Sequence, residues 1–333
     1  GNDGRGTSEV VPYLKSIGQN PAAGIDYTIV GHQHCDHLGG LDEVVSAGYD
    51  VHQKNHYNGS TTTSACVRDW HAAAAITTAG APQAPLPGDE IALGDGAKLT
   101  FVAVNGRIIG GGSVAVTEEN DRSIAVLVQH GGFDWLWASD LGGGNIDQAC
   151  TGRYTSTQTD VESAIVQAIS PGGAAPLISD GGIDVLHVNH HGSESSTNHN
   201  WMNYSEPAVA IISTGAGQSG GWEFPRIDVV EHVLLGGATA CVTAAPALVL
   251  QTEEGSVAGA QTSYAGYSVG NIKVETDGVH DFTVSADGMV NQGPNEVAAA
   301  GLPRSFALDD GKPSSSTNLS GWNLRQQNAA YNY

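Results

Sequence analysis

Residues 26–41 read DYTIVGHQHCDHLGGL. Tyr27, Thr28, Ile29 and Val30 are aromatic or β-branched, which predicts a short strand over 26–30. It passes at Gly31 into His32, Gln33, His34, Cys35, Asp36 and His37, so four imidazole or carboxylate side chains fall within six residues on the loop after a strand. Imidazole nitrogen and carboxylate oxygen suit zinc at about 2.0–2.2 Å. His32 and His34 alternate and face one side, while the tight turn sends Asp36 and His37 to a neighbouring ion, so the pattern predicts two divalent metals. A solvated polyhistidine tract needs neither the strand before it nor the Gly39-Gly40 pair that opens a helix from Leu41 to Gly48.

Outward from this stretch, strands and helices alternate. A helix is expected over 9–17, with Val10, Val11, Leu14 and Ile17 on one face, Ser8 as its cap and Gly18 as its stop. Strands over 123–128 and 134–138 turn at Gly131-Gly132, and the second ends at Ser139-Asp140. Another strand over 184–188 runs into His190 and His191. Helices over 160–169 and 228–235 flank a buried strand over 209–212, and strands over 247–250, 271–275 and 281–284 follow. This order predicts an α/β sandwich. Residues 1–290 read as one domain and 291–333, rich in Asn, Ser, Ala and Gly, as a polar tail wrapping it.

Thirteen Lys and Arg against 35 Asp and Glu give a net charge of −22, which repels an extended polyanion and disfavours nucleic acid as partner. No apolar run is long enough for a membrane span. The four cysteines lack CxxC spacing and are too few for a disulfide scaffold. Their even number and the polar uncharged surface fit an exported bacterial protein, secreted or periplasmic, with Cys66 to Cys150 as a candidate bridge and Cys35 as a packed thiol. The chain opens at GNDGRG without a signal peptide, in what reads as the middle of a loop.

HxHxDH after a strand resembles the signature of the metallo-β-lactamase superfamily. Leu136-Trp137-Ala138-Ser139-Asp140 looks like that family's strand ending in a metal-bridging Asp, and His190-His191-Gly192-Ser193 like its last ligand motif. With 120–128 (NDRSIAVLV), the motifs are similar to the ComEC-type branch and to phosphorylcholine esterases, over roughly residues 1–290. The resemblance implies a four-layer αββα sandwich, with one or two strands ahead of Asp3-Gly4 that this chain lacks. It also implies two ions, zinc or manganese, held by His32, His34, Asp36, His37, Asp140 and the His190-His191 pair. Strand alternation through Leu186 and Val188 favours His190 as ligand, and a register break favours His191. The wider family carries a histidine before the bridging Asp, where this chain has Glu118-Glu119-Asn120-Asp121; water, Glu119, Asn120 or Asp121 takes its place.

Isolated histidines (His52, His56, His71, His130, His199, His232, His280) read as surface or hydrogen-bonded residues, His199 being the best candidate among them for more. Trp135 and Trp137 read as core; Trp201 and Trp222 read as rim residues.

Two ions at roughly 3.5–4 Å make hydroxide available near neutral pH. The expected chemistry is hydrolysis by metal-bridged hydroxide, with Asp36 orienting the water and His190 protonating the leaving oxygen. The expected substrates are phosphodiesters or phosphate esters, as for a nuclease or phosphodiesterase, with a small or wall-attached ester at least as expected as duplex DNA. A lactonase or β-lactam hydrolase on the same site is one alternative, and a non-catalytic binding module another.

Overall fold

The 26–30 stretch forms strand β1 (Ile25–Ile29), which pairs in parallel with β2 (Val51–His56) in a sheet of two strands. The structure, a computed structural model, describes residues 4–151, 156–179, 181–215, 224–226, 228–237, 240–253, 270–286 and 302–308. Around β1 and β2 lie α1 (Val11–Ser16), α2 (Cys35–Leu38), α3 (Leu41–Ser46) and α4 (Ala65–Ala75).

A nine-stranded sheet follows. Its strands are β3 (Glu90–Gly94), β4 (Ala97–Val104), β5 (Arg107–Ile108), β6 (Gly112–Ser113), β7 (Ala125–His130), β8 (Phe133–Trp137), β9 (Val185–His187), β10 (Val209–Ile212) and β11 (Leu248–Gln251). They are ordered β11-β10-β9-β8-β7-β4-β5-β6, with β3 on β4. The strands from β8 to β11 run parallel, whereas β3, β4, β7 and β8 form antiparallel pairs. Helices α5 (Gln148–Thr151), α6 (Glu162–Ile169) and α7 (His199–Ser205) belong to the connections between these strands.

Four layers stack by burying apolar faces in turn. Val67, Trp70 and Ala74 of α4 pack with Val30 and Leu38. Tyr27 and Ile29 of β1 meet Leu99, Phe101, Val126 and Trp137 of the large sheet. On that sheet's other face, Ile165, Val166 and Ile169 of α6 and Trp201 and Met202 of α7 cover Leu127, Leu136 and Leu186. The apolar positions of α6 recur at helical spacing, so one stripe faces the sheet. The chain is thus a mixed α/β protein of helix, sheet, sheet and helix layers.

The strand over 209–212 and the hairpin through Gly131-Gly132 stand where the sequence puts them. Several expectations need correction. Helix 9–17 is two pieces: a π-helical turn, Gly6–Val10, carries Ser8 inside it, and α1 follows, because the Glu43 carboxylate holds the Thr7 N–H (2.6 Å) and sets the start earlier. The cysteine pairing is Cys35–Cys66 and Cys150–Cys241, so Cys66 does not bridge to Cys150 and Cys35 is no free thiol. Trp201, on α7, is fully buried in the core and not at a rim, on a helix whose start Asn198 caps (Trp201 backbone N–H to Asn198 Oδ1, 2.9 Å). Trp222 lies outside the described residues.

Strands β12 (Ile272–Thr276) and β13 (Asp281–Ala286) form a small antiparallel sheet. Within the stretch expected as a tail, Arg304–Ala307 forms β14 on β13 and buries Phe306 against Phe282. The rest of 291–333, apart from 302, 303 and 308, lies outside the described residues.

Candidate metal centre

The loops leaving β1, β8 and β9 at their carboxyl ends converge on Asp140. Its Oδ2 lies 3.2 Å from His37 Nε2, 3.6 Å from His190 Nε2 and 3.8 Å from His32 Nε2, and its Oδ1 lies 3.6 Å from His191 Nε2. Asp36 Oδ2 completes the ring, 3.4 Å from His37 Nε2 and 3.7 Å from His191 Nε2. His34 joins through Nδ1, 3.0 Å from His32 Nε2. All seven residues singled out in the sequence are therefore brought together.

Asp36, His37, Asp140 and His191 form a group able to hold a metal ion, their ligand atoms lying within 4.8 Å of one another. The residues fit a cation on a direct observation: His37 Nε2 and Asp140 Oδ1 are buried without a hydrogen-bond partner. Orphaned buried polar atoms cost free energy, and a cation among them removes that cost.

The electrostatics agree. Burial works to raise Asp140, but the imidazoles of His191, His190 and His37 outweigh it and hold the carboxyl well below its usual range. Burial likewise opposes the charge on His37, yet Asp140 and Asp36 push its pKa up to about 9. His191 is raised, Asp140 and Asp36 outweighing burial, whereas burial lowers His32 and His190. Without an ion the cluster is a set of imidazolium–carboxylate contacts; a divalent cation replaces those protons.

Local structure explains the aim of each side chain. Ser139, at φ +52°, sets its hydroxyl between the Nδ1 atoms of His32 (3.1 Å) and His37 (3.4 Å), which leaves both Nε2 atoms turned inward. His190 and His191 take φ of +49° and +55°, left-handed conformations that cost about 1–2 kcal/mol each. This kink sends the two rings to different sides of Asp140. Glu162, buried in α6, holds the loop in that shape by accepting from Asn189 Nδ2 (2.7 Å), Thr197 N–H (2.6 Å) and Asn198 N–H (2.7 Å). His191 Nδ1 contacts the Ser213 carbonyl at 2.7 Å, so Nδ1 carries the proton and Nε2 faces the carboxylates. The Phe224 ring lies against both imidazoles, with centroids 5.3 Å from His190 and 6.3 Å from His191.

Of the residues 118–121, Glu119 accepts from Gln33 N–H (2.8 Å), Asn58 Nδ2 (2.8 Å), Ser60 (2.9 Å) and Thr62 (3.1 Å), pinning the histidine loop from outside. Asn120 alone of the three candidates reaches the cluster, with Nδ2 3.5 Å from His190 Nε2. Among the isolated histidines, His71 supports the loop through Gln33 Oε1 (3.0 Å), and His199 uses its backbone N–H to reach Asp147 (3.0 Å).

Sequence reasoning missed Ser139, Glu162 and Gln158 as supporting residues. Ser139 was within reach as the residue preceding Asp140. Glu162 and Gln158 leave no local signal, because they act on loops distant in the chain.

Fold and site together define a mixed α/β chain with an imidazole–carboxylate group able to bind metal. No protein-family model matches it. Recombination protein 2 of Haemophilus influenzae is 24% identical over 230 residues, 68% of this chain and 21% of the relative, so the chain spans about a fifth of that protein's length. Among solved structures, the metallo-β-lactamase fold protein YhfI from Bacillus subtilis is similar at 11% identity and a TM-score of 0.38, over 73% of this chain and 80% of that one. CmlA, a diiron β-hydroxylase from Streptomyces venezuelae, is similar at 11% identity and a TM-score of 0.33, over 56% of this chain and about a third (35%) of CmlA.

Proposed function

We propose that this chain is a dinuclear metal-dependent hydrolase of small phosphodiesters or phosphate esters. The observation that carries the reading is the buried, hydrogen-bond-orphaned pair His37 Nε2 and Asp140 Oδ1 inside the ring of Asp36 and His191. Asp36, His37, Asp140 and His191 would hold one ion; His32, His34 and His190 would hold the other against Asp140. Bound divalent cations, zinc or manganese, supply Lewis acidity and an acidified water for attack on the ester.

The chain's own residues do the rest. Asp36, half-exposed, keeps its carboxylate ionised because the close imidazoles of His191 and His37 outweigh burial, and orients the attacking water. His190 is buried and held neutral, which suits a ligand better than a proton donor. The Phe224 ring covers one side of His190 and His191. With −22 net charge the surface opposes a long polyanion, so a small or wall-attached ester is preferred to duplex DNA. The Haemophilus relative's name keeps DNA among the substrates to assay. Two disulfides, Cys35–Cys66 and Cys150–Cys241, suit an oxidising, extracytoplasmic compartment. Among the described residues no helix is long and apolar enough to cross a membrane.

The test is a panel: bis-p-nitrophenyl phosphate, phosphorylcholine esters, single-stranded DNA, nitrocefin and an acyl-homoserine lactone, each with zinc or manganese. Phosphodiester turnover that is lost in Asp140→Ala is expected. Faster opening of nitrocefin or the lactone would move the assignment to acyl substrates, and no turnover with no bound ion would leave a binding module.

A further inference from the structure

The segment at 118–121 holds no histidine, and the hydrogen bonds around it identify what serves instead. Asp121 is fully buried, its Oδ2 accepting from the Thr159 N–H (2.8 Å) and its Oδ1 from Gln158 Nε2 (3.4 Å). The same Gln158 nitrogen also reaches the Asp140 carbonyl (3.4 Å). With its amide nitrogen drawn to two acceptors, Gln158 must present Oε1 to its remaining neighbour, His190 Nδ1, at 3.1 Å. A carbonyl oxygen accepts only, so Nδ1 carries the proton and Nε2 is a bare lone pair. The opposite side of the ring agrees, since Asn120 Nδ2, a donor, approaches Nε2 at 3.5 Å. Ser195 Oγ, 3.0 Å from Nδ1, is a second acceptor for the same proton. Gly142 lets the network close, for a Cβ there would stand 2.2 Å from Asp121 Oδ1 and 3.0 Å from the Gln158 Cβ.

We propose that Gln158, oriented by Asp121, is a positioning residue that locks His190 with its Nε2 lone pair toward Asp140, so that His190 replaces the histidine absent from 118–121. The inference rests on the metal-dependent reading of the site and adds two residues to it. Asp121 fixes which end of the Gln158 amide faces His190, and the amide fixes which imidazole nitrogen is free for a cation. His191, turned to the other oxygen of Asp140, keeps the position shared with Asp36 and His37.

Asp121→Asn is the discriminating variant. Its amide oxygen still accepts from Thr159, but its NH2 group faces Gln158 and reverses that side chain, which then offers a donor to His190 Nδ1 and moves the ring proton to Nε2. Two readouts apply. On metal-free protein, long-range 1H–15N spectra of the imidazole should show His190 Nε2 unprotonated in the wild type and protonated in Asp121→Asn. In cobalt titrations with a competing chelator, the wild type should take two ions per chain. Asp121→Asn and Gln158→Leu should keep the first ion and bind the second about 10- to 100-fold more weakly.

An unchanged His190 tautomer in Asp121→Asn, or unchanged second-ion affinity in a folded Gln158→Leu, overturns the proposal and leaves the metal reading standing. A wild type that binds no ion overturns both, and the metal reading first. Should Gln158→Leu fail to fold, the nearly isosteric Asp121→Asn still decides.

Discussion

Nε2 of His37 and Oδ2 of Asp140 meet at 3.2 Å, although one residue follows β1 and the other follows β8. The β1–β2 sheet and the nine-stranded sheet, packed through Tyr27 and Ile29, are thereby also joined at one edge by a charge contact. Asp140 is buried and His37 largely covered, so the contact depends on what lies between them. A divalent cation bound at this point would link the sheets and favour the folded chain. Saturating zinc, at about a hundred times its dissociation constant, should stabilise the protein by about 2.7 kcal/mol. Calorimetry with zinc and with chelator measures this, and Asp140→Ala should abolish the difference.

Ser139 stands between His32 Nδ1 and His37 Nδ1, so one hydroxyl orients a ligand for each proposed ion. Ser139→Ala leaves both rings free to turn. Affinity for both ions should fall by about 10- to 100-fold, with the fold retained in circular dichroism. A loss confined to one ion would show that the hydroxyl orients only one ring.

Gly31 separates the strand from the histidine loop, and the sequence gives no hint that it is tightly confined. A Cβ at this position would stand 2.3 Å from the Ser139 hydroxyl, 2.5 Å from its Cβ and 2.9 Å from the Trp137 ring. Gly31→Ala should therefore displace Ser139 and Trp137 together. A stability loss of about 1–3 kcal/mol in denaturant unfolding, accompanied by lost metal binding, is expected.

The cluster was legible in the sequence because its candidate ligands sit in three short runs after strands, at His32 to His37, at Asp140 and at His190-His191. Each run carries its own local signal, and strand periodicity places all three at carboxyl ends. The supports were not legible. Glu162 and Gln158 are ordinary polar residues near a helix start, and only the folded chain brings Glu162 to the Thr197 N–H or Gln158 to His190. Cysteine pairing failed for the same reason: Cys35 and Cys66 meet because α4 folds back over the histidine loop, a contact that spacing does not encode. The π-helical turn at Gly6–Val10 depends on Glu43, which lies on α3.

Cys35 adjoins Asp36, so the bridge to Cys66 ties the metal loop to α4. It closes a chain separation of 31 residues, which by loop entropy stabilises the fold by about 3–4 kcal/mol. Replacing both cysteines with serine should lower stability by an amount of that order in urea unfolding. Because Asp36 is the half-exposed member of the proposed ligand set, first-ion affinity should weaken alongside it.

Far from the histidines along the strands, at the starts of β8 and β9, Asp134 and Asp184 form a buried acid pair, with the Asp134 N–H donating to Asp184 Oδ2 at 2.9 Å. Burial pushes Asp134 up to about 6, and burial with the neighbouring Asp134 charge pushes Asp184 up to about 7. Carboxyls raised above their unfolded value of about 3.9 bind protons more tightly in the native state. The stability they contribute is therefore present in full below pH about 4 and is lost as pH rises through 6 and 7. Asp184→Asn keeps an acceptor for the Asp134 N–H and removes the charge. Metal-free Asp184→Asn should be more stable than the wild type at pH 8 by an amount on the order of a few kcal/mol, and the gain should vanish near pH 4. Melting temperatures of both proteins across that range check the sign, and a gain that grows toward acid would mean that the carboxylate is stabilised in the native state.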